Sequence, residues 1–314
     1  MEEVCECMLD LDSPNRFIQY ELWKDCRNGC KFCFNKGQPD VDKIESLNYV
    51  MTKLQDKEVD LYNEIGFIGG EFFDNQLEND MVRKMFYDLF MVCKEKGFEK
   101  IYVTSSLLFD VNTYLIPFLN YLRDINLLEK ILLCTSWDSW GRFHTKEQLE
   151  LWENNVLLLH ELYPTLKIHT ETIVTQAFIN DVLEDRFSIK RFSERFNTRM
   201  DFIEPGSGFY YFDKKECAKE LTNFFPTKES FLKFLMKVYK NGEIELQTFL
   251  SPNIRSDVIY NILDGKRVSA HGRRKSSNDC FWKELKVKYE RGFLDSDMKM
   301  TDVVKEFANM VGEQ

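Results

Sequence analysis

Glycine and proline are scarce in this chain, 14 and 7 of 314 residues, and no internal repeat or low-complexity tract is present. Fibrous and disordered classes are excluded. No run of about 18 uninterrupted apolar residues occurs, and the start, Met1-Glu2-Glu3-Val4-Cys5, has neither the basic flank nor the apolar stretch of a secretion signal. A soluble, cytoplasmic protein with no membrane partner is expected. Basic residues are in deficit, 42 against 52 acidic ones for a net charge of -10, which argues against gripping duplex nucleic acid through a general positive surface. What the chain has instead is phenylalanine, 27 residues, beside 13 Tyr and 5 Trp. Thick aromatic packing and an apolar, water-poor pocket are expected.

From about residue 16 to 204, short β-rich runs alternate with longer helical patterns, the signature of βα units feeding a parallel sheet. The runs are 17–23, 65–69, 101–104, 131–137, 168–174 and 200–203. Between them Ile44, Leu47, Met51 and Leu54, and then Met81, Met85, Leu89 and Val92, recur at helical spacing. Thr145 and Gln148 form a capping box that opens a further helix. In the first run Ile18, Tyr20 and Leu22 share one side and Gln19 and Glu21 the other; in the fifth, His169 and Glu171 alternate with Ile168, Thr170 and Thr172. A parallel strand buried on both faces is nearly all apolar, so these polar residues mark either a strand near a sheet edge or a barrel lumen lined for binding. After Pro205-Gly206-Ser207-Gly208 the alternation stops. A helix capped by Thr227 follows, with Phe231, Leu235 and Val238 on one side, then a mixed region and a terminal helical pattern.

Nine cysteines are an odd number, and in a reducing compartment thiols are explained by burial, metal or catalysis before disulfides. Three of them fall within eight positions, Cys26-Arg27-Asn28-Gly29-Cys30-Lys31-Phe32-Cys33, directly after the first strand. Gly29 relaxes the turn, so the three thiols can converge on one centre. Three thiolates suit structural zinc or an iron-sulfur cluster, each of which normally takes four protein ligands. No fourth cysteine or histidine lies nearby. An iron without a protein ligand is a coordination site for something else.

With these residues the chain resembles the radical SAM superfamily. That superfamily carries three cysteines at this spacing after the first strand of a partial (β/α)6 barrel, with an aromatic residue before the third, here Phe32. The resemblance extends to Gly69-Gly70-Glu71 at the end of the second strand, where the superfamily has a Gly-Gly-Glu motif that hydrogen-bonds the amino group of S-adenosylmethionine (AdoMet). The fold it implies is α/β, a partial TIM-like barrel over residues 1–204 with a C-terminal α-rich extension, 205–314, that caps the barrel or selects the substrate. The cofactors it implies are a [4Fe-4S] cluster on Cys26, Cys30 and Cys33, and AdoMet on the fourth iron. Reductive cleavage of AdoMet would give a 5′-deoxyadenosyl radical that takes a hydrogen atom from a nucleotide or nucleic acid, a peptide or a small metabolite. The chain departs from the pattern at Phe72, where proline is frequent, and at Thr104-Ser105-Ser106, where Thr-Asn-Gly is frequent. Thr104, Ser136, Asp138 and Glu204 fall at strand ends where the superfamily places cofactor contacts. An electron donor such as flavodoxin or ferredoxin is the implied partner.

Other residues are weighed on their own chemistry. Cys93 and Cys134 sit in apolar patterns and read as small core residues, while Cys5, Cys7, Cys217 and Cys280 equal in number what an auxiliary cluster needs. Lys266-Arg267 through Arg273-Arg274-Lys275 is the most basic segment of an acidic chain, a solvated loop or a grip for a phosphate-bearing substrate. An iron-sulfur sensor or electron-transfer protein, or a zinc-stabilised binding module, are the non-enzymatic alternatives.

Overall fold

A computed structural model describes residues 17–31, 33, 40–138, 141–173, 175–203, 228–239, 255–260 and 268–273. The six β-rich runs form β1 (Phe17–Glu21), β2 (Glu64–Ile68), β3 (Lys100–Thr104), β4 (Ile131–Ser136), β5 (Lys167–Ile173) and β6 (Arg199–Ile203). Between them run α1 (Lys43–Lys53), α2 (Asp80–Lys96), α3 (Leu115–Asp124), α4 (Lys146–Leu162), and the pair α5 (Gln176–Leu183) and α6 (Ile189–Phe196). Each strand pairs in parallel with its predecessor in the chain, so the order β6-β5-β4-β3-β2-β1 contains no reversal. Right-handed crossovers between adjacent parallel strands place their helices on one face, whereas a doubly wound sheet requires the order to reverse. The fold is therefore α/β of the partial TIM-barrel kind.

Burial follows this arrangement. On the helix-covered face Ile18, Tyr20, Ile65, Phe67, Ile101, Val103, Ile131, Leu133 and Ile168 are all buried. On the other face Gln19, Tyr102, Thr104, Cys134, Ser136, His169 and Glu171 are half-buried. β1 lies between β2 and β7 and β5 between β4 and β6, so neither is an edge strand, and the polar face is the inner face of the curled sheet. Cys134 belongs to this face and not to the core as its apolar neighbours suggested; Cys93, 0% exposed on α2, is a core residue. At the bottom of the inner face Phe17 and Tyr102 meet edge to face, 5.1 Å between centroids, over Gly66, where an added Cβ would lie 2.7 Å from the Phe17 ring.

The helices bury stripes shifted from those the spacing alone suggested. In α1 these are Leu47 and Val50, with Leu54 at the C-cap, while Ile44 stays exposed; in α2 they are Val82, Met85, Phe86, Leu89, Phe90 and Cys93, while Met81, in the turn capped by Asn79, is exposed. The aromatic rings gather in this helix layer. Trp23, Phe72, Phe73, Phe90 and Phe118 pack around Phe86, and Trp152, Trp137, Phe187, Phe192 and Phe196 form a second group at α6. The thick aromatic packing expected from composition is present, but it lies beneath the sheet, and the inner face is polar.

Past β6, α7 (Lys228–Tyr239) packs against α5, burying Leu232 and Phe234. Strand β7 (Arg255–Tyr260) pairs in parallel with the free side of β1, and β8 (Val268–Arg273) returns antiparallel along it. The C-terminal extension thus supplies, among the described residues, one helix and two strands of the same sheet; the strands fall where the sequence shows only a mixed region. Thr227, expected to cap α7, lies outside the described residues. No described helix is long and apolar enough to cross a membrane.

Candidate functional site

Parallel strands that curl into a barrel present their C-terminal ends together, and the loops that leave those ends build the site. The cysteine loop leaves β1. Cys30 is buried, while Cys26 and Cys33 are half-buried. Gly29 adopts φ +60°, the left-handed conformation that favours glycine, and the Cys33 N–H donates to the Cys30 carbonyl at 3.2 Å. Burial pushes the Cys26 thiol up to about 11; a backbone hydrogen bond at Asn28 opposes this, and the charges of Glu71, Cys30 and Cys33 add to it. As thiolates the three cysteines would repel one another and Glu71, a situation a positively charged metal centre reverses.

The entry to this loop is tied down from two sides. The Asp40 carboxylate accepts from Lys24 N and Asp25 N, at 2.8 and 3.2 Å, and Lys43 bridges Asp40 and Asp25. At the end of β2, Gly70 N donates to the Trp23 carbonyl at 2.7 Å and Glu71 N to the Asp25 carbonyl at 3.0 Å. A Cβ at Gly69 would lie 2.1 Å from the Trp23 carbonyl oxygen and one at Gly70 would lie 1.9 Å from that of Asp25. The two glycines are thus required by backbone packing against the stem of the cysteine loop.

Glu71 is 2% exposed. One carboxylate oxygen accepts from Phe73 N and Ser105 Oγ, both at 3.1 Å; the other accepts from Ser106 N at 2.6 Å and Ser106 Oγ at 2.5 Å. Four donors fill the four lone-pair directions of a carboxylate. Burial raises its pKa above the ordinary carboxylate value, and the serine and Phe73 donors pull it back down. Ser105 and Ser106, where the chain departs from the family pattern, give their hydroxyl protons to Glu71. Asn155, a polar residue in the buried stripe of α4, donates to the Leu107 and Phe109 carbonyls at 3.0 and 2.9 Å. It steadies the serine turn, in which Leu107 has φ +56°.

At the end of β4, Ser136 is half-buried on the inner face, paired in register with Glu171. Asp138 is 3% exposed, and its Oδ1 accepts from Gly141 N at 3.0 Å. Thr104, Cys134 and His169 stand in one row across β3, β4 and β5. The structure therefore brings Cys26, Cys30, Cys33, Gly69, Gly70, Glu71, Thr104, Ser136 and Asp138 to one end of the sheet. Phe32 and Glu204 lie outside the described residues, as do Cys5, Cys7, Cys217, Cys280, Lys266, Arg267, Arg274 and Lys275. Asp40, Gly141, His144 and Asn155 were not picked out from sequence. Asn155 carries a legible signal, an amide amid the apolar spacing of Trp152, Val156 and Leu159, and the other three do not.

The fold has counterparts among solved structures. The chain superposes on native anSMEcpe with bound AdoMet with a TM-score of 0.52 at 15% sequence identity, over 95% of this chain and 97% of that one. The likeness is one of fold. The same protein with AdoMet and the Kp18Cys peptide gives a TM-score of 0.51 at 16% identity, over 95% and 97%. No family model matches the sequence, and no curated protein matches it. The partial-barrel fold that the resemblance to the radical SAM superfamily implies is thus the fold of this chain, shared with a protein that holds AdoMet.

The donor set fits an iron-sulfur cluster. Three soft thiols stand on one loop within electrostatic reach of one another. Among the described residues no three His, Cys, Asp or Glu side chains are gathered closely enough to hold a single ion. A cubane instead takes each thiolate on a separate iron.

Proposed function

We propose that this chain is an AdoMet-dependent radical enzyme. The observation that carries the reading is the seating of the three-cysteine loop, at the C-terminal end of β1, against the Gly69-Gly70 backbone at the end of β2. Cys26, Cys30 and Cys33 would hold a [4Fe-4S] cluster. Bound there with AdoMet, it would supply one-electron cleavage to methionine and a 5′-deoxyadenosyl radical able to take a hydrogen atom from a substrate carbon. The chain's own residues bind, orient and shield. The Gly69 and Gly70 carbonyls would serve as backbone acceptors for the AdoMet amino group, and the Thr104 and Ser136 hydroxyls, at the neighbouring strand ends, would be its further polar contacts. Glu71 braces the glycines from behind through Ser105 and Ser106, because its lone pairs are already filled. Phe32 and Glu204 belong to the same reading by resemblance.

The inner face supplies the substrate wall. Gln19, Thr104, Cys134, His169 and Glu171 give it hydrogen-bonding groups, so the substrate is polar where it touches the sheet. A flavodoxin or ferredoxin serves as electron donor in this reading.

The test is anaerobic reconstitution followed by paramagnetic resonance of the dithionite-reduced protein. About four irons per chain and a signal that changes shape when AdoMet is added are expected. A colourless zinc protein, or an iron protein whose signal ignores AdoMet, would contradict the reading; the latter result would favour a sensor or electron carrier.

A further inference from the structure

We infer that Gly141 and His144, between β4 and α4, clamp the cysteine loop, and that Asp138 and His144 are positioning residues for Cys30. The consequence for a cluster rests on the function proposed above; the clamp itself rests on geometry. Two contacts from this connection reach the loop, one on each side of Cys30. The Lys31 N–H donates to the Gly141 carbonyl at 2.9 Å, and His144 Nε2 lies 3.1 Å from the Asn28 carbonyl. A carbonyl only accepts, so His144 carries its proton on Nε2 there.

Both contacts are built on rigid supports. Asp138 follows β4 by two residues, is 3% exposed, and holds Gly141 N on its Oδ1 at 3.0 Å. Its carbonyl accepts from Arg142 N and Phe143 N at 3.3 and 3.4 Å. His144 is fixed by the capping box: Gln148 Oε1 accepts from His144 N at 2.7 Å while Thr145 Oγ1 accepts from Gln148 N at 3.3 Å. Sheet and helix thus grip the same short loop at Lys31 and at Asn28. Thiolates that must meet a cubane at set angles need such outside support, because ligand orientation is fixed by the groups behind the ligands.

The test reads amide hydrogen exchange across residues 26–33 in the full chain, before and after cluster reconstitution, in Asp138→Ala and His144→Ala and in the conservative pair Asp138→Asn and His144→Gln. Asn offers Gly141 the same oxygen, and Gln offers Asn28 an N–H. The alanine variants are expected to exchange the Lys31 amide roughly tenfold faster, with β4 and α4 still protected. They should also retain less iron and give a broadened spectrum of the reduced cluster. The conservative variants should restore both readouts. Unchanged Lys31 exchange in both alanine variants would overturn the clamp, as would alanine and conservative variants that behave alike. If Asp138→Ala fails to fold, His144→Ala decides, because that side chain is exposed. If the parent chain takes up no iron, the proposed function fails, and Lys31 exchange still decides the clamp.

Discussion

At the scale of single residues, the site is held by contacts that leave no space. Gly70→Ala would put a methyl group 1.9 Å from the Asp25 carbonyl, and two pieces of backbone have no flexible end to give way. A loss of about 2–3 kcal/mol is expected, read as a lower melting temperature together with weaker iron uptake. Glu71→Ala would leave the buried Phe73 and Ser106 N–H groups without their acceptor, at a cost of about 3 kcal/mol in denaturant titration. Glu71→Gln should cost less, about 1–2 kcal/mol, since only one of its two oxygens turns into a donor. Cys93 offers a test of burial by pH. Its thiol is pushed above the ordinary value by burial alone. A raised folded pKa means that the protonated thiol stabilises the fold below the unfolded value of about 8.5, and that this contribution fades as pH rises towards the folded value. Native protein near pH 9 should resist alkylation at Cys93, and unfolded protein should be labelled there, with peptide mass spectrometry as the measurement.

Among the elements, α4 organises more of the site than any of its residues advertise. Its N-cap fixes His144, and Asn155 holds the turn after β3, where Leu107 sits at φ +56° and Ser105 and Ser106 bind Glu71. Asn155→Ala should therefore cost about 2 kcal/mol in thermal unfolding. It should also loosen residues 105–109 in hydrogen exchange without disturbing α4. The six strands were legible because their runs are rich in β-branched or aromatic residues and alternate with helical patterns such as those of α1 and α2. The cysteine triplet was legible because its spacing is local. The Ser105 and Ser106 partners of Glu71 were not, since they leave a different strand and meet it only once the sheet has formed, and the partners of Asp138 and Asp40 lie in loops that carry no periodic pattern. The same reason hid β7, whose partner β1 lies more than two hundred residues away along the chain and leaves no periodic trace.

For the molecule as a whole, unreversed strand order decides the function-bearing surface. It sends all the crossovers to one face, concentrates the phenylalanines there, and frees the opposite face for Gln19, Thr104, Cys134, Ser136, His169 and Glu171. The aromatic content that sequence suggested for a dry pocket instead makes a stiff floor under the strand ends. On that floor, three thiols and a pair of glycines are pressed together at the mouth of the curled sheet. The most direct measurement of what this mouth does is the yield of 5′-deoxyadenosine from AdoMet and dithionite under anaerobic conditions, in the reconstituted parent and in Cys30→Ala. The account predicts 5′-deoxyadenosine and methionine in equal amounts from the parent and none above background from the variant. Equal yields from the two proteins, or no product from a parent that carries its iron, would contradict it.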